Sequence, residues 1–228
     1  MVQGFIISKV AISIMVMLAF LSPSSAIPLG LGFGRLSKRA ASTGLRNDAI
    51  EGPCKNVVLI HARGTTEVAN MGAAVGVPFA TALESLMPEN IGIQGVNDYP
   101  ASVIEYAEGG SKTGAAFMAQ TAADIMQRCP ETKLVLSGYS QGGQVVHLAA
   151  DMMAPEVAKK VAAVVVFGDG LGQNAPVTGV PADKVLQVCH TADLICQLPM
   201  SGVITPFHLT YILDVDTAAK FVMEKIGN

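Results

Sequence analysis

Residues 133–153 read KLVLSGYSQGGQVVHLAADMM: an apolar run from Lys133 to Ser137, the pentapeptide Gly138-Tyr139-Ser140-Gln141-Gly142, and an apolar, helix-like stretch from Gln144 to Met153. A G-x-S-x-G sequence between a strand and a helix forms a sharp, strained turn. It needs small residues two places either side of the serine because neighbouring backbone approaches closely. The turn lifts the Ser140 hydroxyl clear of the sheet. A lone match could be a chance glycine-serine turn, but the strand pattern before it and the helix pattern after it argue for a nucleophile elbow.

Working outward, short apolar and β-branched runs at Asn56 to His61, Ile91 to Val96, Thr132 to Ser137, Ala162 to Gly168 and Lys184 to Cys189 read as buried strands. Helical stretches fall near Ala73 to Met87, Gly114 to Arg128, Gln144 to Met153 and Asp216 to Ile226. Alternating strands and helices predict an α/β fold, a three-layer sandwich around a mostly parallel five-stranded sheet, with no long stretch available for a large lid. Ligands in such sheets bind at the carboxyl ends of the strands.

A serine hydroxyl is a weak nucleophile at neutral pH, so the elbow calls for a histidine base and a carboxylate that holds the histidine in the right tautomer. Both are expected downstream, acid before base. Of the four histidines, only His190 and His208 lie well beyond the elbow. Asp193 lies between them, which gives the order Ser140, Asp193, His208. The Thr205-Pro206-Phe207-His208-Leu209 context predicts a loop with an exposed imidazole. Oxyanion donors are expected from the backbone N–H of Gln141 and from Thr65, in the loop after the first strand. The competing reading of Thr65 is a cap for the segment that follows.

The chain opens with one positive charge before an uncharged run, Val10 to Leu21, and the small residues Ser24 and Ala26. This predicts a signal peptide over 1–26, too short for a comfortable membrane span, and hence a secreted protein without stable membrane insertion. Residues 27–50, with a dibasic Lys38-Arg39, read as a pro-segment or flexible tail, and 51–228 as a single domain. The full chain carries 15 basic and 18 acidic residues, a formal −3; without residues 1–39 it carries 11 and 18, a formal −7. An acidic domain without clustered Lys and Arg is not suited to nucleic acid. Nothing in the sequence points beyond a monomer.

Four cysteines in an exported chain suggest two disulfides, for which three connectivities exist. A local Cys189–Cys196 pair, enclosing Asp193, leaves Cys54 with Cys129. By chain entropy the long bridge contributes about 4 kcal/mol and the short one about 2.5 kcal/mol. Zinc is disfavoured because the spacing lacks paired short C-x-x-C hooks, and the expected chemistry requires no metal or other cofactor.

Four motifs in order, Ala62-Arg63-Gly64-Thr65-Thr66-Glu67, Gly138 to Gly142, Asp193-Leu194-Ile195-Cys196 and His208-Leu209-Thr210-Tyr211, resemble the cutinase family of secreted serine esterases from about Cys54 onward. The resemblance implies a Ser140, Asp193, His208 triad, an oxyanion hole of Thr65 and Gln141, and the Cys54–Cys129 and Cys189–Cys196 bridges. It also implies cutin-type polyesters and lipid-like esters as substrates. Two positions depart from the usual pattern: Ala192 stands where many relatives carry glycine, which would strain an alanine if φ must be positive, and Gly170 stands where proline is frequent.

The apolar residues around His208, notably Val203, Ile204 and Leu209, are candidates for a substrate rim. Val75 to Leu86 is either a facing wall or an ordinary core helix. The alternatives to a cutinase are an acetyl xylan esterase, for which the absence of tryptophan is unfavourable, and a catalytically silent secreted surface-binding protein on the same scaffold.

Overall fold

A computed structural model describes residues 44–227. The expected signal peptide, the Lys38-Arg39 site and most of the expected tail lie outside the described residues.

In chain order the elements are α1 (Asp48–Glu51), β1 (Val57–Ala62), α2 (Gly76–Leu86), β2 (Ile91–Gly95), α3 (Val103–Ala107), α4 (Lys112–Arg128), β3 (Lys133–Tyr139), α5 (Gln141–Met152), α6 (Pro155–Ala158), β4 (Val161–Phe167), β5 (Val185–Val188), α7 (Leu194–Gln197) and α8 (Val215–Gly227). The five strands are all parallel, in the order β2-β1-β3-β4-β5. Strand periodicity divides their side chains between two apolar layers. Val58, Ile60, Leu134, Leu136, Val164 and Val166 pack with α4 and α5 on one face. Val57, Leu59, Val135, Val165 and Phe167 pack with α2 and α8 on the other. Both faces are covered, which explains why the strands read as continuous apolar runs rather than alternating ones.

The stretch Val75 to Leu86 is settled by this layering. Phe79 and Leu83 of α2 are fully buried, and Phe79 meets Phe167 edge-on at 5.4 Å between ring centroids. It is a core helix.

The last part of the expected tail is firmly held. Gly95 N–H donates to the Arg46 carbonyl (2.9 Å), Asn47 makes an antiparallel bridge with Gln94, and the Asp48 carboxylate accepts from Ile93 N–H (3.0 Å). Arg46 also pairs with Asp48 at 2.5 Å and Glu84 at 2.9 Å. Residues 44–50 therefore cover the outer edge of β2, whose backbone groups need partners. Residues 44–50 are thus not a free tail, because the polar composition read as a sign of mobility supplies these edge contacts.

Candidate active site

The chain leaves β1 for α2 on one face of the sheet and leaves β3 for α5 on the other, so a crevice opens between the two connections at the carboxyl ends of these paired strands. Thr65 follows β1 and Ser140 follows β3, which brings the two to the same crevice.

Ser140 has φ 56° and ψ −119°, a strained conformation for a non-glycine residue. The turn is sharp enough that a Cβ on Gly138 would lie 2.2 Å from the Gly142 carbonyl oxygen, and one on Gly142 2.0 Å from that of Ala62. The strain is held by Ser140 N–H, which donates to Phe167 O (2.9 Å), and by α5 packed into the core directly after the turn.

Asp193 follows β5 and caps α7, its Oδ1 accepting from Ile195 N–H at 3.0 Å. His208 lies in a short 3-10 turn, Pro206–Leu209. Its Nε2 is 2.9 Å from Ser140 Oγ and its Nδ1 2.8 Å from Asp193 Oδ2. To reach Ser140 the imidazole crosses the end of β4 at Gly168, where φ is +54° and a Cβ would lie 2.9 Å from the ring. Contrary to the sequence expectation, the imidazole is not exposed: His208 is 2% accessible, stacked on Tyr139 at 5.2 Å, and the Tyr139 hydroxyl donates to the His208 carbonyl at 2.8 Å. A proline-aromatic loop signals a turn but not what covers it.

Thr65 Oγ1 donates to Gln141 Oε1 (3.3 Å), and Gln141 Nε2 donates to the Ser102 carbonyl (2.9 Å). The Thr65 side chain thus faces the elbow rather than capping α2, which begins at Gly76. Glu67 pins this loop by accepting from the N–H groups of Gly64 and Ala74, both at 2.8 Å. Gln141 is the first residue of α5, so its N–H belongs to the helix-start donors without an intrahelical acceptor.

The crevice has a volume of about 320 Å³, and its lining includes Ser140, His208, Thr65, Tyr139, Ile204 and Leu209. Val203 is exposed beside Ile204 but does not line it. Val103 of α3, 65% exposed, also lines the crevice, which sequence reasoning missed. Among the described residues no insertion covers the mouth. A larger groove of about 870 Å³ along α4, lined by Ile50 and Phe117 among others, contains no nucleophile-base pair.

Both cysteine pairs are bonded: Cys54–Cys129 across 75 residues and Cys189–Cys196 across 7, the latter enclosing Asp193. Ala192 is not among the residues with positive φ, so its position does not demand glycine. His147 and His61 are structural in setting. His147 Nε2 is 2.7 Å from Asp169 Oδ2; burial pulls its pKa down, but the Asp169 hydrogen bond and charge outweigh this and raise it. His61 is fully buried with Nδ1 3.1 Å from Ser137 Oγ, and burial lowers its pKa to about 3.

An elbow serine in contact with a carboxylate-bound imidazole, on an open α/β sandwich, is the arrangement of a serine hydrolase. Residues 53–226 match the cutinase family model, and the chain belongs to the cutinase family. It is 43% identical to a cutinase of Botryotinia fuckeliana over 194 residues, 84% of this chain and 92% of that one. The solved structure of a Trichoderma reesei cutinase with a phosphonate inhibitor superposes with a TM-score of 0.74 at 41% identity, covering 82% of this chain and 81% of that one. An acetylxylan esterase structure shares the fold, with a TM-score of 0.61 at 21% identity, covering 77% of this chain and all of its own.

Proposed function

We propose that this secreted esterase hydrolyses cutin-type polyesters and short- to medium-chain acyl esters, with Ser140 as nucleophile, His208 as general base and acid, and Asp193 as the group that orients His208. His208 Nε2 takes the Ser140 proton as Oγ attacks the ester carbonyl, and the N–H groups of Gln141 and Thr65 hold the developing oxyanion. Collapse expels the alcohol, which takes the proton back from His208 and leaves an acyl-enzyme. Water then attacks the acyl carbon, giving its proton to the same Nε2; the acyl–Oγ bond breaks, Nε2 returns that proton to Ser140 Oγ, and the acid is released.

The observation that carries this reading is the continuous contact from Ser140 Oγ to His208 at 2.9 Å and on to Asp193 at 2.8 Å, opening into a mouth bordered by Val103, Ile204 and Leu209. An apolar border suits acyl chains, and the relatives' name supports cutin as the polymer. Deacetylation of a carbohydrate is the weaker alternative, since a sugar would be expected to stack on exposed aromatics and the chain has no tryptophan.

The test is hydrolysis of p-nitrophenyl esters from acetyl to palmitoyl, together with solid cutin, by wild type and Ser140→Ala. The expected result is a short-chain optimum, monomer release from cutin, and a loss on the order of 10³-fold or more in Ser140→Ala with the fold intact. Activity confined to acetyl esters would move the assignment to a carbohydrate deacetylase. Failure of a phosphonate to label Ser140 would instead support a silent binding protein.

A further inference from the structure

His190 and Asp214 form a second imidazole–carboxylate pair, with Nε2 2.8 Å from Asp214 Oδ2 and Nδ1 3.0 Å from the Phe207 carbonyl. The His190 ring lies on the face of Tyr211, centroids 4.2 Å apart and planes 20° from parallel. Tyr211 is fully buried, and its hydroxyl accepts from His190 N–H at 3.1 Å and donates to Asp193 Oδ2 at 2.6 Å. That oxygen is the one that receives His208 Nδ1. A single carboxylate oxygen of a fully buried residue therefore serves two donors.

We propose that Tyr211 is a positioning residue that tunes the basicity of Asp193, and that the His190–Asp214 pair holds it in place. The inference rests on the triad reading above. A phenol donating to a carboxylate favours the charged form and draws negative charge away from its other partner. Tyr211 thus competes with His208 for the same Asp193 oxygen and weakens the carboxylate's hold on a protonated imidazole. Burial, with the Asp193 hydrogen bond, raises the Tyr211 pKa, so the phenol keeps the proton it donates.

Other groups face the network from its surroundings. Thr210 Oγ1 is 3.2 Å from His190 Nδ1. Glu67 acts with Asp193 on Tyr139 from the crevice side, and Asp169 lies beyond Gly168, tied to His147. None of these donates to Asp193, so the Tyr211 hydroxyl is the group to remove.

The experiment is the pH dependence of kcat/KM for a soluble ester in wild type, Tyr211→Phe and His190→Ala, with thermal midpoints measured in parallel. In Tyr211→Phe the acid limb should move to higher pH by about 0.5–1 unit, and in His190→Ala by less in the same direction. The titration of the His208–Asp193 proton, followed by NMR, should move likewise. A lowered midpoint with unmoved acid limbs would reduce Tyr211 to packing and overturn the proposal. If Tyr211→Phe does not fold, an unmoved limb and unmoved proton titration in His190→Ala would overturn it equally. Ser140→Ala separates the two readings: retained turnover there refutes the triad, whereas an inactive Ser140→Ala with unmoved limbs refutes only the role of Tyr211.

Discussion

Gly142 has no room for a side chain, because a Cβ there would meet the carbonyl oxygens of Ala62 at 2.0 Å and Arg63 at 2.9 Å. Gly142→Ala should cost at least about 2 kcal/mol, since the obstacles are backbone atoms of β1 and its loop that cannot yield; a urea midpoint near wild type would contradict this. His61 predicts a pH dependence. Its pKa falls from 6.5 to about 3 on folding, so below about pH 6.5 the unfolded chain takes up a proton that the native chain refuses. Stability is then full above that pH and falls by up to about 1.4 kcal/mol per unit on acidification, levelling near pH 3. His147 works in the opposite sense: its raised pKa gives stability that is full at low pH and is lost as pH rises through the folded value. His61→Asn should flatten the acid slope of urea midpoints, and an unchanged slope would place the lability elsewhere. That Ser140, Asp193 and His208 would meet could be read from chain order, because the elbow constrains what must follow it, and the three are in contact. Tyr211 could not be read in this way, because its role depends on a phenol meeting a carboxylate 18 positions away, and no periodicity encodes that.

All five strands and the four long helices were readable: burial on both faces leaves near-continuous apolar runs in β1, β3 and β4, and turn residues bound the shorter β2 and half-buried β5. The short elements were not. α3 nevertheless carried a signal: Ser102-Val103-Ile104-Glu105 fits a capping box, and both of its hydrogen bonds form. That one turn supplies Val103, which lines the crevice together with Ile204 and Leu209. Val103→Ser should raise KM for octanoyl esters several-fold while leaving acetyl esters nearly unchanged, because only a longer chain reaches it; equal effects on both would remove Val103 from acyl binding. The two bridges should separate in the same way. Replacing Cys54 and Cys129 by serine should lower stability by about 4 kcal/mol with kcat retained, because the bridge ties the start of β1 to the end of α4, away from the mouth. Replacing Cys189 and Cys196 should cost less stability, about 2.5 kcal/mol, and more activity, since that loop positions Asp193. Denaturant melts and kinetics on each pair decide the point.

At the scale of the molecule, Ser140, Asp193 and His208 come from turns and loops at one end of the sheet, and the exposed apolar residues Val103, Ile104, Ile204, Phe207 and Leu209 belong to the segments that carry or border them. The mouth and its apolar border therefore form one surface. The β2 edge is closed by residues 44–50, which sequence reading assigned to a tail because edge-covering and mobile segments share a polar, aperiodic composition. Pinning by backbone and salt-bridge contacts also makes those residues a poor protease substrate, since cleavage requires an extended strand free of partners. Exoproteolytic trimming of a secreted chain should accordingly not pass Gly44, and mass spectrometry of the exported protein should find no N-terminus within residues 45–50.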